Sequence, residues 1–361
     1  MSELPTTIEG ITGPWLTEAL RRSGELAGDA EVKVTSAEPL ALGTAFATKM
    51  YRLTLDGPDG VPGSLVLKLP TEGQVRDLLD GIGAYIREVT FYSEVAEELP
   101  VRVPKPYVTE LADQGTDFVL AIEDLSDLDP ADQLAGLTLE QAQTAVDNLA
   151  RFHGWFWESE RLEGLADRFP PMDSPKGRGI NEQFGQFFAM VWAAAREAPV
   201  LAEEVKDFGD RFPTLVPFFI ERLSEPRTLA HGELRADNLF LTPDGGLLMV
   251  DFQTVAQQAG IVDVAYLLSQ SLSPEVRLGQ DQGLVRRYQE GLVSAGVDGY
   301  PPDRAWEQYR IAAAFNLLMP VMAFSQYELT DDRGKQLLVE MLRRASDAIV
   351  ANESLALLPT R

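Results

Sequence analysis

Short apolar runs separated by turn residues fill the first third of the chain, and apolar positions recurring every three or four residues fill most of the rest. Residues 32–39, 48–55 and 64–69 read as strands, punctuated by Gly43, by Asp56, Gly57, Pro58, Asp59 and Gly60, and by Pro62 and Gly63. Turn residues at that spacing predict an antiparallel meander. Tyr85, Val89, Tyr92, Ala96 and Leu99 then recur at helical spacing up to Pro100, which predicts one helix. Residues 118–122 form a further apolar strand that runs into Glu123, Asp124 and Leu125 and a polar, proline-containing stretch at 126–132.

Beyond that stretch the periodicity is helical. Thr138 and Gln141 have the spacing of a capping box, and Leu149, Phe152, His153 and Phe156 continue one helix face. Helical patterns return at 181–196, 204–223, 282–295, 304–324 and 332–352. The one strand-like interruption is a hairpin over 239–255, with apolar runs on either side of Thr242, Pro243, Asp244, Gly245 and Gly246. The composition change places a lobe boundary after residue 125. The expected class is α+β and bilobal: a small antiparallel sheet with one main helix over 1–125, and a mainly helical lobe over 126–361 that carries the hairpin. This is the plan of protein kinases.

Composition removes several alternatives. With no cysteine, disulfides, thiolate nucleophiles and Cys-type zinc sites are excluded, and two histidines make a histidine-based metal site a poor expectation. A formal charge of -25 argues against a nucleic-acid or anionic-membrane surface, which needs clustered Lys and Arg. The start of the chain has neither a basic segment nor an apolar one, and the longest apolar stretch, 311–324, is too short to span a bilayer. A cytoplasmic protein, monomeric or homodimeric, is the expectation.

The candidate chemistry is concentrated in two places. In the run His231, Gly232, Glu233, Leu234, Arg235, Ala236, Asp237, Asn238, and in Asp251 after the apolar strand 247–250, the hairpin would bring Glu233, Asn238 and Asp251 together. Two carboxylates and an amide oxygen are hard ligands suited to Mg²⁺ and to orienting a hydroxyl, so the arrangement predicts phosphoryl transfer. Asp251 at the end of a buried strand needs a cation or hydrogen bonds, against the plainer reading of a turn cap. Lys68 is embedded in the apolar strand Leu65, Val66, Leu67, Lys68, Leu69, and Glu88 on the following helix is its candidate partner. Such a pair can address the α- and β-phosphates of ATP; the plainer reading is an edge-strand lysine facing water. Thr44 lies where a phosphate-covering loop would, but one glycine gives no G-x-G-x-x-G pattern, and an ordinary turn fits equally. His231 and His153 read as structural, Asp263 as a brace for the loop at 231–238, and the aromatics near 155–157, 184–188 and 192 as mostly core.

These residues in this order resemble the aminoglycoside-phosphotransferase and choline-kinase superfamily, and within it the ecdysteroid-kinase-like branch. The likeness rests on Leu67, Lys68, Leu69, Pro70; on Arg87, Glu88, Val89, Thr90, Phe91, Tyr92; on Glu123, Asp124, Leu125; on the H-G-x-x-x-x-x-N segment at 231–238; on Asp251, Phe252, Gln253; and on the stretch from Asp263 to Arg277. The resemblance implies ATP held by the linker near Glu123, Asp124 and Leu125 and by Lys68, Mg²⁺ on Asn238 and Asp251, and residue 233 as catalytic base. It implies a small-molecule alcohol as acceptor: an antibiotic, an amino sugar, or a choline-like or apolar alcohol. Most relatives would carry Asp at 233. Glu233 is one methylene longer, about 1.5 Å of reach, and the alternative function is a nucleotide-binding pseudokinase or regulatory module with weak or no transfer.

Overall fold

In the N-terminal region the strands over 64–70 and 118–123 are buried on both faces of a sheet, while that over 33–39 is largely exposed and that over 106–111 mostly half-buried. The computed structural model describes residues 4–40, 48–112 and 117–360. Packing divides the chain into two units, Met1–Asp129 with Val250–Thr254, and Pro130–Met249 with Val255–Arg361. In the first unit β1 (Lys33–Pro39), β2 (Thr48–Asp56), β3 (Ser64–Pro70), β4 (Pro106–Leu111) and β5 (Phe118–Glu123) make one antiparallel sheet in the order β1-β2-β3-β5-β4. The expected meander is its first three strands.

Alternation along β3 decides which way Lys68 points. Leu65, Leu67 and Leu69 join Leu53, Leu55, Val119 and Ala121 in a core cluster with Leu16, Ala19 and Leu20 of helix α1 (Gly13–Arg22). With a side-chain period of two, Val66 and Lys68 lie on the opposite face. That face receives α3 (Ala84–Glu94), which follows α2 (Gly73–Gly81). Among the described residues the region thus holds three α-helices where the sequence pattern predicts one. α1 is ten residues long, capped by Thr12 and started by Pro14, and offers too few periods to stand out. α3 also stops at Glu94, and Ala96–Glu98 is a separate 3-10 turn, so the expected continuation to Leu99 is not one helix.

The second unit is mainly helical. Its α4 (Leu139–Phe156) begins with the expected capping box, Thr138 accepting from Gln141 N–H and Gln141 accepting from Thr138 N–H. The expected helix 204–223 is two, Glu203–Gly209 and Phe212–Leu223, and the expected 304–324 is also two, Pro302–Phe315 and Leu318–Phe324. A proline stands in the first turn of each restarted helix, while Pro217 is accommodated inside Phe212–Leu223. In a continuous helix Pro213 and Pro320 would each remove a hydrogen bond and clash with the preceding turn; restarting the helix puts each in a first turn, where neither penalty applies.

The hairpin forms as expected, with Leu239 opposite Met249 and Leu241 opposite Leu247, and Gly245 at φ +80 closes its turn. It is not the only strand pair. Arg227–Ala230 and Ala256–Ala259 pair antiparallel, Ala230 opposite Ala256. Four-residue strands, buried along most of their length, carry no readable alternation.

Arg344, fully buried on the helix Asp332–Ala351, donates to the carbonyls of Gln133, Leu134 and Gln270 and pairs with Glu340. Gln133 in turn donates its N–H to Asp237 beside Asn238. Arg344→Met keeps much of the bulk but leaves buried carbonyls unmet, and is expected to cost on the order of 3 kcal/mol. Urea unfolding of the variant beside the unmodified protein measures it; an unchanged midpoint would mean those carbonyls find other donors.

Candidate active site

Lys68 is 5% exposed, and its ammonium bonds the fully buried carboxylate of Glu88. The strand lysine is therefore not an edge residue facing water. Burial alone would lower the Lys68 ammonium, but Glu88 and Asp251 outweigh it and hold the group above its ordinary value. Burial lifts the Glu88 carboxyl, with Lys68 and a hydrogen bond from Gln253 opposing the shift. The segment carrying Asp251 packs into the same unit: the Phe252 ring stacks on Phe91 of α3 at 3.5 Å and meets Tyr92 edge-on. This sets Asp251 Oδ1 4.0 Å from Lys68 Nζ.

Asp251 has φ +69, a left-handed conformation that side chains other than glycine adopt at a cost of about 1–2 kcal/mol. Its Oδ1 is buried and accepts no hydrogen bond. The side chain is 37% exposed, so solvent and the Lys68 ammonium face the carboxylate while its Oδ1 goes without a hydrogen bond.

The linker residues differ from one another. Asp124 is pinned by Arg52 Nε at 2.9 Å and by Ser126 N–H at 3.1 Å. Burial would raise its carboxyl, but hydrogen bonds from Ser64 and Arg52 hold it below its ordinary value. Glu123 accepts from Lys105 N–H and Arg102, its own N–H donates to the Lys105 carbonyl, and Leu125 is buried. Thr44 lies outside the described residues.

In the second unit the chain leaves the strand Arg227–Ala230 directly into His231 and turns at Gly232, φ +87. The loop that follows has no ladder to satisfy its N–H groups. Asp263, on the helix Ile261–Ser271, supplies the acceptors: its Oδ2 takes the His231 N–H at 2.6 Å and its Oδ1 the Gly232 N–H at 2.9 Å. It braces the loop as the sequence suggests, rather than capping its own helix. Asp263 is itself fully buried and held by His153 Nε2 at 3.1 Å, while His153 Nδ1 meets the Tyr288 hydroxyl at 2.8 Å. With the carboxylate ionised, Nε2 carries the imidazole proton and the Tyr288 O–H donates to Nδ1. Gly260 makes room for this chain, because a Cβ there would lie 2.5 Å from His153 Nδ1.

Farther along the loop, Asn238 Nδ2 donates to the Glu233 carbonyl at 2.9 Å, which turns its Oδ1 the other way. Arg235 lies between Glu233 and Asp237, Nε 3.7 Å from Glu233 Oε1 and Nη1 3.3 Å from Asp237 Oδ2. Neither Arg235, nor Gln253 on Glu88, nor Tyr288 on His153 stands out in the sequence. Each is an ordinary polar residue whose partner is distant in the chain or two residues away in a loop. Among the described residues no group of three or more His, Asp or Glu side chains could hold a metal.

The model of the ecdysteroid kinase-like family matches residues 42–296 of this sequence. The chain belongs to that family. Membership marks the protein as a small-molecule kinase. A search of the curated proteins by sequence finds no match. Among solved structures, this family member is similar to the choline kinase LicA from Streptococcus pneumoniae, at 14% identity, TM-score 0.51, over 88% of this chain and 94% of that one. An aminoglycoside 2'-phosphotransferase matches at 14% identity and TM-score 0.51 over 95% and 97% of the two chains. An ethanolamine kinase from Plasmodium vivax matches at 10% identity and TM-score 0.50 over 88% and 81%. At such identities the likeness shows the fold: α+β, protein-kinase-like. Among the described residues no helix is long and apolar enough to cross a membrane.

Burial would raise the Asp263 carboxyl, but hydrogen bonds from His153 and the loop backbone hold it below its ordinary value. A depressed carboxyl stabilises the folded state above its unfolded value, about pH 3.9, and that stabilisation is lost as pH falls through the native value. Asp263→Asn should therefore cost on the order of 3 kcal/mol at neutral pH. The gap to the unmodified protein should narrow as the pH of unfolding experiments is lowered toward about 3. A gap that stays constant with pH would remove the charge from the explanation.

Proposed function

We propose that the protein transfers the γ-phosphoryl group of ATP, with Mg²⁺, to a hydroxyl of a small molecule, Glu233 standing in the catalytic-base position. The observation that carries this is the buried Lys68–Glu88 pair beside Asp251. Two acids share one ammonium there: Glu88 bonds Lys68 directly, and Asp251 lies 4.0 Å from it. Structural ion pairing needs no third, strained charge; a nucleotide phosphate and its cation do.

The residues present fit a magnesium ion on two counts. Asp251 keeps a buried carboxylate oxygen without a hydrogen bond. Asn238 has its amide nitrogen spent on Glu233 O, which leaves Oδ1 as the acceptor to offer. Two protein ligands suit Mg²⁺, which commonly keeps waters and takes the rest of its shell from phosphates. Bound there, the ion would neutralise charge on the phosphates. Lys68, held extended by Glu88, would bind the α- and β-phosphates, and the backbone at 123–125 would hold the adenine. Glu233 would accept a hydrogen bond from the acceptor hydroxyl and orient its oxygen for attack. Phosphoryl transfer depends on positioning more than on the strength of the base, so a glutamate serves if the acceptor sits correspondingly farther out. The acceptor class is a small alcohol: an antibiotic, an amino sugar, or a choline-like or apolar alcohol. Retention of Lys68, Asn238 and Asp251 together supports this reading over a binding-only protein, which has less need of a complete Mg²⁺ set.

ATP consumption across a pooled library of alcohols and antibiotics tests the proposal. Glu233→Gln should lower turnover by about 10²-fold or more, and Lys68→Ala should weaken nucleotide binding. Asp251→Ala leaving turnover intact would sink the metal assignment.

Asp251 also predicts opposed effects on activity and stability. Asp251→Gly removes the left-handed strain and the repulsion of Glu88 at the loss of the longer-range attraction to Lys68, so its thermal midpoint should rise by about 1–3 °C while transfer is lost. Calorimetry checks this, and a fall in midpoint would show that Asp251 contributes net stability.

A further inference from the structure

Arg235 is the loop residue for which the reading above has no use, and its surroundings give it one. Its backbone carbonyl accepts from Asn238 N–H at 2.9 Å, so its Cα is fixed in the turn that ends at Asn238. Its guanidinium is anchored at the far side: Nη1 lies 3.3 Å from Asp237 Oδ2 and 3.8 Å from Met341 Sδ. Asp237 is tied by its other oxygen to the Gln133 N–H at 3.2 Å, and Gln133 is tied to Arg344 and Gln270. Asp237, itself tied down, and Met341 thus restrain the guanidinium. What it presents to Glu233 is Nε, 3.7 Å from Oε1: an ion pair, too long for a hydrogen bond.

Exposure orders the three groups. The Glu233 side chain is 25% exposed and that of Arg235 12%, while Tyr266 is buried and its phenol, raised mainly by burial, also responds to Glu233, Arg235 and Asp237. The carboxylate is the most exposed of the three. A glutamate has one more rotatable bond than an aspartate, and a half-exposed one samples several rotamers. A charge at 3.7 Å restrains it without occupying its acceptor lone pairs.

We infer that Arg235 is a positioning residue that takes up the extra methylene of Glu233, holding the longer carboxylate where it can receive the acceptor hydroxyl. The inference rests on Glu233 being the base. Glu233 and Arg235 work as a pair, and shortening the acid to aspartate draws the carboxylate back from Nε.

The test uses the full-length protein with MgATP and water as acceptor, read as phosphate release, so no alcohol need be known. Arg235→Gln should lower kcat about ten- to a hundredfold with the KM for MgATP nearly unchanged. Arg235→Lys, keeping the charge but not the planar fork, should fall between. On a Glu233→Asp background the same Arg235→Gln change should have little further effect. An equal loss in both backgrounds, accompanied by a lowered thermal midpoint, would show a folding role and overturn the inference. Should Glu233→Gln leave phosphate release unchanged, the base assignment fails first. A crystal structure of Arg235→Gln supplies a reading independent of turnover. It should show the Glu233 carboxylate displaced or in more than one conformer, and a carboxylate in its original place would overturn the inference.

Discussion

A buried carboxylate that accepts two backbone N–H groups is the constraint on which the loop at 231–238 depends. Between the strand Arg227–Ala230 and the turn at Asn238 the chain has no sheet ladder or helix to pair its amides, and Asp263 takes the place of both. A buried unmet N–H costs as much as a lost hydrogen bond or more, so the loop could not hold one shape without such an acceptor. The acceptor then needs its own partners, and these come from α4 through His153, then Tyr288 on the helix Asp281–Ser294, with Gly260 opening the space. Three helices are thereby committed to the position of two peptide groups.

The sheet unit handles charge in the opposite way. Lys68 and Glu88 satisfy each other, but Asp251 is added at 4.0 Å in a left-handed backbone with an oxygen unmet. Strain and uncompensated charge persist only where surrounding packing enforces them, and here the stack of Phe252 on Phe91 does so. The start of loop 231–238 is held by paired hydrogen bonds, whereas Asp251 keeps one carboxylate oxygen without one.

Much of this was legible in the sequence, and the illegible part has a physical pattern. The three-strand meander, the capping box at Thr138 and the hairpin around Gly245 are each specified by a local signal of the right length. So was the strand lysine with its helix glutamate, since an ammonium in an apolar run demands a partner. The helices α1 and α2 and the strands Arg227–Ala230 and Ala256–Ala259 are too short for periodicity to declare them. The breaks at 210–211 and 316–317 were marked by Pro213 and Pro320, residues whose tolerance in a first turn reads in sequence as tolerance within a helix. Partners such as Tyr288 for His153 and Arg344 for Gln133 are matters of tertiary placement, and no spacing announces them. The left-handed Asp251 is also silent, because nothing in its flanking residues requires φ above zero.

Glu233 brings these strands of argument to one point. Its backbone is fixed within the loop that Asp263 holds: its N–H donates to His231 Nδ1 and its carbonyl accepts from Asn238. What differs from an aspartate is therefore confined to the side chain. A change of one methylene on an immobile backbone moves the carboxylate by about 1.5 Å at most, a displacement that matters for reactivity yet is small enough for neighbouring side chains to absorb. Because the backbone is held in this way, the adjustment for a longer acid falls on side chains that face the carboxylate, Arg235 at 3.7 Å among them.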